Sequence, residues 1–220
     1  MKAGPIPARL RPHSMKVFVG VGLAGRRTCF LLACLLLMPA AARGEWRAVE
    51  KTETYAITGQ SGPELYASIG ERGPQVGGLG RAIAHTSFKL TWRRKYEERD
   101  GACVLASALP KLTITYTLPK LAGKLPANIE AHWQTFIAGV RKHELVHGDF
   151  IKEMVSAIEA ATVGLTVADD PQCRKIKSEM TKRLGEISRT QRQKSRDFDR
   201  AELSDGGNVH QLILNLVNGG

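Results

Sequence analysis

The feature that most constrains the fold is an apolar stripe long enough to require one continuous helix. Apolar residues recur at steps near 3.6 from about residue 126 to residue 163, and Gly164 then favours a helix stop. The stripe consists of Ile129, Trp133, Phe136, Val140, His147, Ile151, Met154 and Ile158. His143 falls on the same face of this helix. Two imidazoles are therefore predicted to face the interior, where an unpaired imidazole is costly unless it binds something.

These histidines belong to the run His143-Glu144-Leu145-Val146-His147, which has the H-E-x-x-H pattern of zinc hydrolases. Residues four apart lie on one face of a helix, so both imidazoles can bind one tetrahedral ion. Glu144 then lies beside the metal, where a carboxylate can accept the proton of a zinc-bound water. The pattern predicts one zinc ion as cofactor and Glu144 as general base. The rival interpretation is a pair of structural histidines on an ordinary helix.

A third protein ligand is required, because a catalytic zinc usually takes three and leaves one position open. Glu153, ten residues after His143, is excluded if the helix continues through Phe150. It would then lie about 15 Å along the helix axis from His143, at about 1.5 Å per residue. A ligand from the following helix or its end is favoured, and the sequence does not choose among the candidates Glu179, Glu186, Asp199, Glu202, Asp205 and His210.

The residues before the long helix favour strands. Strands are predicted at residues 46–58, 82–96 and 112–118, with Pro119 ending the last of them, and a short helix is predicted at residues 64–71. The predicted fold class is therefore α+β, with an N-terminal, mainly antiparallel sheet.

A second long helix is predicted after the first, because Asp170-Pro171 supplies an N-cap and a first-turn proline. Its apolar positions are Cys173, Ile176, Met180, Leu184, Ile187 and Phe198. This helix can lie antiparallel to the first, and the sheet is expected to pack on the two. Past Phe198 the helical pattern decays, leaving a short apolar tail at residues 212–217.

The first 44 residues have the three parts of an export signal. An arginine pair precedes an apolar block at residues 29–38, and small residues follow it. Cleavage after Ala42 or Gly44 fits this pattern, and a true start at Met15 would give a leader of ordinary length. The apolar block is too short for a membrane span of about 18 residues. The sequence therefore predicts an exported single domain, residues 45–220, that is periplasmic or secreted and has no permanent membrane span.

The strong positive charge of the chain comes mostly from this leader. The leader holds seven of the 32 lysines and arginines and none of the 21 acidic residues, so the mature chain carries a net charge of +4. The basic run at residues 92–96 is followed at once by Glu97-Glu98. No clustered basic stripe of the kind that binds nucleic acid is present, so no nucleic-acid partner is expected.

The mature chain keeps only two cysteines, Cys103 and Cys173. An even pair in an oxidising compartment most simply forms one disulfide, which closes a long loop and contributes about 2–4 kcal/mol. Neither cysteine lies in a C-x-x-C arrangement, which argues against a redox site or a thiolate zinc site.

Beyond these local patterns, the order of several residues resembles the bacterial family called "domain of unknown function 922", described as secreted zinc-dependent proteases. The residues that carry the resemblance are Tyr55, Gly59, Cys103, Leu118-Pro119-Lys120, Trp133, the motif His143–His147, Cys173 and Phe198-Asp199-Arg200. That family ends in Tyr-Asp-x-x-Thr-x-His-Gly, whereas this chain has Phe198-Asp199 with no late histidine. The resemblance implies Asp199 as third ligand, with Asp205 as the alternative.

Together, these observations predict an exported zinc metallopeptidase with a zincin-like arrangement, in which the motif lies on the first long helix. Its ligands would be His143, His147 and Asp199, its general base Glu144, and its partner a peptide or protein substrate. The main alternative is a non-catalytic cell-envelope protein with the same fold and a degraded metal site. A sugar- or peptidoglycan-binding module is a third interpretation, although no aromatic platform supports it. Substrate, cleavage preference and oligomeric state are left open by the sequence.

Overall fold

The fold is α+β, as predicted, and its sheet is covered by helices from the second half of the chain. The structure is a computed structural model that describes residues 46–78 and 80–219. Its elements are β1 (Val49–Ile57), α1 (Gly62–Arg72), β2 (His85–Arg99), β3 (Ala102–Leu121), α2 (Ala127–Thr162), β4 (Thr166–Val167), α3 (Lys175–Leu203) and α4 (Asn208–Asn218). The predicted export signal, residues 1–44, lies outside the described residues. Among the helices that are described, none is long and apolar enough to cross a membrane.

The sheet is mixed: two of its three strand pairings are antiparallel, in line with the prediction of a mainly antiparallel sheet, and one pairing is parallel, which was not predicted. Its strand order is β1-β3-β2, with β1 parallel to β3 and β2 antiparallel to it. The short β4 pairs with the first residues of β3. The helix α1 and the loop after it reverse the chain between β1 and β2. Since β2 and β3 form a hairpin, β1 on the far side of β3 must run parallel to β3.

The central strand β3 is much longer than the predicted segment, and Pro119 does not end it. The strand begins directly after the turn Asp100-Gly101, where both residues have positive φ, as a two-residue hairpin turn requires. Pro110 is opposite a residue of β2 only, and Pro119 is opposite a residue of β1 only. Each proline thus lies where β3 has a neighbour on one side, which is where a sheet tolerates a residue without an N–H.

The helix α2 is the central element of the core. Its bounds agree closely with the helix predicted from about residue 126 to residue 163. Its first half packs on α1, α4 and the end of β1, around Trp133 and Phe136. Its second half packs on the middle of β3, around Val155 and Ile158. A third cluster joins the start of β3 to Ile176 of α3. The H-E-x-x-H motif lies on α2 between the first two apolar clusters.

The apolar tail predicted at residues 212–217 is part of a helix, α4. Leu216 is buried against the first core cluster, and Leu212 lies beside Gly139 of α2. A Cβ atom at Gly139 would lie 2.2 Å from a Leu212 methyl carbon, so the glycine permits the close approach of the two helices. The sequence pattern was too short to distinguish this amphipathic helix from an irregular tail.

The predicted disulfide between Cys103 and Cys173 is confirmed, with a Cα–Cα distance of 5.2 Å. It joins the first residues of β3 to the segment just before α3. Asp170 caps the same end of α3, because its carboxylate accepts hydrogen bonds from the backbone N–H groups of Arg174 and Ile176 at 2.7 and 2.9 Å. Pro171 precedes the helix and does not occupy its first turn, because α3 begins only at Lys175.

Candidate metal centre

The histidines of the motif share one face of α2, and that face is turned toward α3. His143 and His147 are one helical turn apart, and their side chains are only 9% and 12% exposed. The helix continues without a break through Phe150. The helix α3 runs antiparallel to α2, because Arg183 contacts Ala161 near one end while Asp199 contacts His143 near the other.

Asp199 is the residue of α3 that meets both imidazoles. Its Oδ1 atom lies 2.8 Å from His147 Nε2 and 3.2 Å from His143 Nε2. The two Nε2 atoms are themselves 3.1 Å apart. Two imidazole nitrogens and one carboxylate oxygen therefore converge on one point, and these three residues form a group that could hold a metal ion.

The spacing of these donor atoms fits a small tetrahedral cation. Donors at about 2.0–2.1 Å from zinc lie about 3.3 Å from one another in a tetrahedron. The three observed separations, 2.8, 3.1 and 3.2 Å, are slightly shorter. Two imidazoles and one carboxylate are also a donor set used by zinc hydrolases. The residues present therefore fit a zinc ion.

The carboxylates around the site favour a positive charge there. Burial lowers the pKa of His143, but its hydrogen bond to Asp199 and the nearby carboxylates outweigh burial, so this pKa lies above the ordinary 6.5. Burial raises the pKa of Asp199, but its contacts with both histidines lower it far more, to well below the usual range. Asp199 is therefore ionised, and its negative charge can interact with a positive charge held between the two imidazoles.

Glu144 lies beside this group, and a strand residue of the sheet holds its side chain in place. Its side chain is buried, and Thr86 of β2 donates a hydrogen bond to Glu144 Oε2 at 2.6 Å. The same hydroxyl lies 3.1 Å from the backbone oxygen of Glu144, but it has one proton and the carboxylate contact is shorter. One carboxylate oxygen is therefore fixed by β2. Sequence reasoning missed Thr86, because nothing local marks a strand residue that meets a helix 58 positions later.

A cleft of about 550 Å³ opens onto the site. Its walls include Thr86 and Phe88 from β2, the motif residues His143, Glu144 and His147 from α2, and Ser195 and Asp199 from α3. The strand β2, which contributes Thr86 and Phe88 to the cleft wall, pairs only with β3 among the described strands, so it is an edge strand of the sheet. The arrangement can present a metal, a carboxylate and an open strand edge to one bound molecule.

Aromatic rings surround the imidazoles. The Phe198 ring stacks on His143 with centroids 4.7 Å apart, and it meets His147 edge-on at 5.5 Å. Phe150 meets both His147 and Phe198 edge-on. These contacts limit the rotation of both imidazoles.

The other candidate ligands lie away from the convergent atoms, except for Glu202. Asp205, the predicted alternative, is fully exposed and faces His210 at 4.0 Å. Glu179 pairs with Arg183, and Glu153 pairs with Lys194. Helix α3 continues to Leu203, so Asp205 follows its end and cannot share the face that carries Asp199. The structure therefore brings Asp199 to the histidines and does not bring Asp205 there.

Comparison with known proteins finds no similar curated protein and no similar solved structure. The sequence does match a family profile described as "Bacterial protein of unknown function (DUF922)" over residues 52–207. The matched segment includes β2, β3, α2 and α3, and with them both histidines, Glu144, Asp199 and both cysteines of the disulfide. Because the match covers well over half of the sequence, the chain belongs to the DUF922 family of bacterial proteins.

Proposed function

We propose that this protein is an exported zinc-dependent hydrolase, specifically a metallopeptidase. The observation that carries the proposal is the convergence of His143 Nε2, His147 Nε2 and Asp199 Oδ1 within 3.2 Å of one another, beside a buried carboxylate. These three atoms would hold the ion. When bound, zinc polarises a carbonyl oxygen and lowers the pKa of a coordinated water toward about 7.

Glu144 would move the proton. It accepts a proton from the attacking water and delivers it to the nitrogen that leaves as the C–N bond breaks. Thr86 supports this role, because its hydroxyl holds one carboxylate oxygen of Glu144 and leaves the other free. The main chain around Glu144 is helical and rigid, so the carboxylate keeps its place through both proton transfers.

A peptide is the substrate class that the cleft favours. The unpaired edge of β2 offers backbone N–H and C=O groups beside the candidate site, and an extended peptide can pair with such an edge. Phe88, 43% exposed on the cleft wall, offers an apolar contact for a substrate side chain. Export is proposed together with this activity, because a disulfide persists in oxidising compartments.

The test separates metal binding from catalysis. Purified mature protein is expected to contain one zinc ion by elemental analysis and to hydrolyse a peptide library. The Glu144→Gln variant should keep the zinc and lose activity by about 10²–10⁴-fold or more, because the amide cannot act as a base. Glu153→Gln is the matched control, since it makes the same change at an exposed position of the same helix, outside the group of candidate ligands, and it should behave as wild type.

Three results would distinguish the alternatives. Equal activity of the wild type and Glu144→Gln contradicts the proposed mechanism. A zinc-loaded protein that cleaves no peptide favours another hydrolase substrate. If the wild-type protein binds no zinc, the enzyme hypothesis fails. The alternative, a non-catalytic cell-envelope protein with the same fold, is then favoured.

A further inference from the structure

A buried nitrogen of His143 has no hydrogen-bond partner among the described residues. This atom is Nδ1, on the side of the ring opposite to the contact with Asp199. The Glu202 Oε2 atom of α3 lies 3.7 Å from this nitrogen, which is longer than a hydrogen bond. An imidazole that uses Nε2 as a ligand carries its proton on Nδ1, and a buried N–H without an acceptor costs about 1–3 kcal/mol.

The same arrangement is repeated at His147. Its Nε2 faces Asp199, and its Nδ1 lies 3.3 Å from the hydroxyl oxygen of Ser195. Ser195, Asp199 and Glu202 are spaced four and three residues apart, so they lie on one face of α3. This face therefore offers the shared carboxylate to both Nε2 atoms and a separate acceptor to each Nδ1 atom.

Glu202 is held so that one of its oxygens stays available to His143. Its side chain is only 16% exposed, and its Oε1 atom accepts a hydrogen bond from Asn208 Nδ2 at 2.7 Å. Asn208 is the first residue of α4. The other oxygen, Oε2, faces His143. Glu202 and His143 both line a second cavity of about 440 Å³. A side-chain rotation that brought Oε2 about 0.5 Å closer to Nδ1 would give a hydrogen bond of ordinary length.

We propose that Glu202 is a positioning residue that accepts a hydrogen bond from the Nδ1–H group of His143 and so keeps the Nε2 atom of that ring free to bind zinc. The Ser195 hydroxyl accepts the corresponding hydrogen bond from Nδ1 of His147. The inference rests on the proposed zinc site. Such outer partners fix the tautomer and orientation of a ligating imidazole, and their loss typically costs about 10–100-fold in metal affinity. Phe198 alone cannot perform this task, because a stacked ring restricts rotation but does not choose between tautomers.

Glu202→Gln tests the proposal with zinc affinity as the readout, measured by competition with a chromophoric chelator. Glutamine has one acceptor oxygen, which Asn208 already uses, so its amide N–H would face the Nδ1 proton. Zinc should bind about 10–100-fold more weakly to this variant. Glu186→Gln removes the same charge from an exposed site on α3, about 20 Å along the helix axis from Asp199, and should bind zinc as the wild type does.

A second measurement uses the wild type and does not depend on how any variant folds. In the zinc-loaded protein, ¹⁵N-resolved NMR of His143 should show a proton on Nδ1 that exchanges slowly and resonates downfield, as in a hydrogen bond to a carboxylate. A rapidly exchanging Nδ1 proton, or zinc binding by Glu202→Gln equal to that of wild type, overturns the positioning role and leaves the zinc site intact. If wild type binds no zinc, the proposed function and this inference fail together.

Discussion

The two ends of α3 are held in different ways. At its first end, Ile176 and Met180 are buried in the core, the Asp170 carboxylate caps the backbone, and the Cys103–Cys173 disulfide ties the preceding segment to β3. Beyond Met180, no residue of α3 is buried. The last turns meet α2 mainly through Asp199, the histidines and the surrounding aromatic rings.

This difference indicates that the fold stabilises one end of α3, whereas the candidate site supports the other. A helix end without buried apolar side chains gains little from the hydrophobic effect. Its position then depends on the polar contacts at the site, and a metal that draws Asp199 and the histidines together would strengthen them. The following predictions separate these two kinds of support.

The largest expected effect is on zinc binding at the second end. Asp199→Ala removes the carboxylate oxygen that both Nε2 atoms contact. Loss of a residue that only hydrogen-bonds to a metal ligand typically lowers metal affinity by about 10–100-fold. Loss of a ligand itself should lower zinc affinity by more than that. Isothermal titration with zinc measures the change. Asp205→Ala is the control, because that side chain is fully exposed and points away from the site. An equal loss in both variants would show that Asp199 is not a ligand.

The next largest effect is a loss of folding stability from the first end of α3, where the disulfide lies. Replacing both Cys103 and Cys173 with serine should lower the free energy of unfolding by about 2–4 kcal/mol, since the bridge closes a loop with a sequence separation of 70. Chemical denaturation at low temperature measures the loss. Zinc affinity of the folded variant should stay close to that of wild type, because the bridge lies at the far end of α3. Loss of zinc affinity in a fully folded variant would show that the two ends are coupled.

A smaller effect is expected in the dynamics of α3. Backbone amides near Met180 should exchange slowly with solvent in the metal-free protein, whereas amides around Asp199 should exchange faster. Zinc at about ten times its Kd should slow exchange around Asp199 by about tenfold and leave the first end unchanged. Hydrogen–deuterium exchange with mass spectrometry resolves the two ends. Uniform protection along the helix without zinc would contradict the comparison.

The smallest effect is a pH dependence at the first end. Burial raises the pKa of Asp170, but hydrogen bonds from the backbone N–H groups at the start of α3 outweigh it, so this pKa lies below its ordinary 3.8. Its contribution to stability is therefore present above the ordinary pKa of 3.8 and is lost as the pH falls from there through the lowered pKa. Asp170→Asn should show a weaker decline in thermal stability between pH 5 and 2, roughly the range in which a paired carboxylate titrates. Parallel declines in both proteins would exclude this role.

The long helix and the placement of its two histidines on one face could be predicted from sequence, because both depend on short-range spacing. A period near 3.6 over 36 residues identifies α2, and four residues between His143 and His147 place them on one face of any helix. The rejection of Glu153 followed from the same geometry. Cys103 and Cys173 could be paired only because they are the two cysteines outside the predicted leader.

The parallel pairing of β1 and the full extent of β3 could not be predicted from local patterns. Pro119 was predicted to end the strand, but both Pro119 and Pro110 are tolerated within β3 because each is opposite a neighbouring strand on one side only. The Asp100-Gly101 pair is a local hairpin signal, and it marks the true start of β3 ten residues before the predicted strand. The tail at residues 212–217 became recognisable as α4 only through its packing on α2.

What the sequence alone determined is the chemistry that one helix can offer: two imidazoles and a carboxylate at fixed spacing on α2. What only the tertiary structure decided is which distant residues complete that chemistry. Asp199, Thr86 and Glu202 come from α3 and β2, and they reach the motif because the core clusters set the distance and direction between these elements. Spacing within a helix follows from the local backbone, whereas contacts between residues more than 50 positions apart depend on how the whole chain packs.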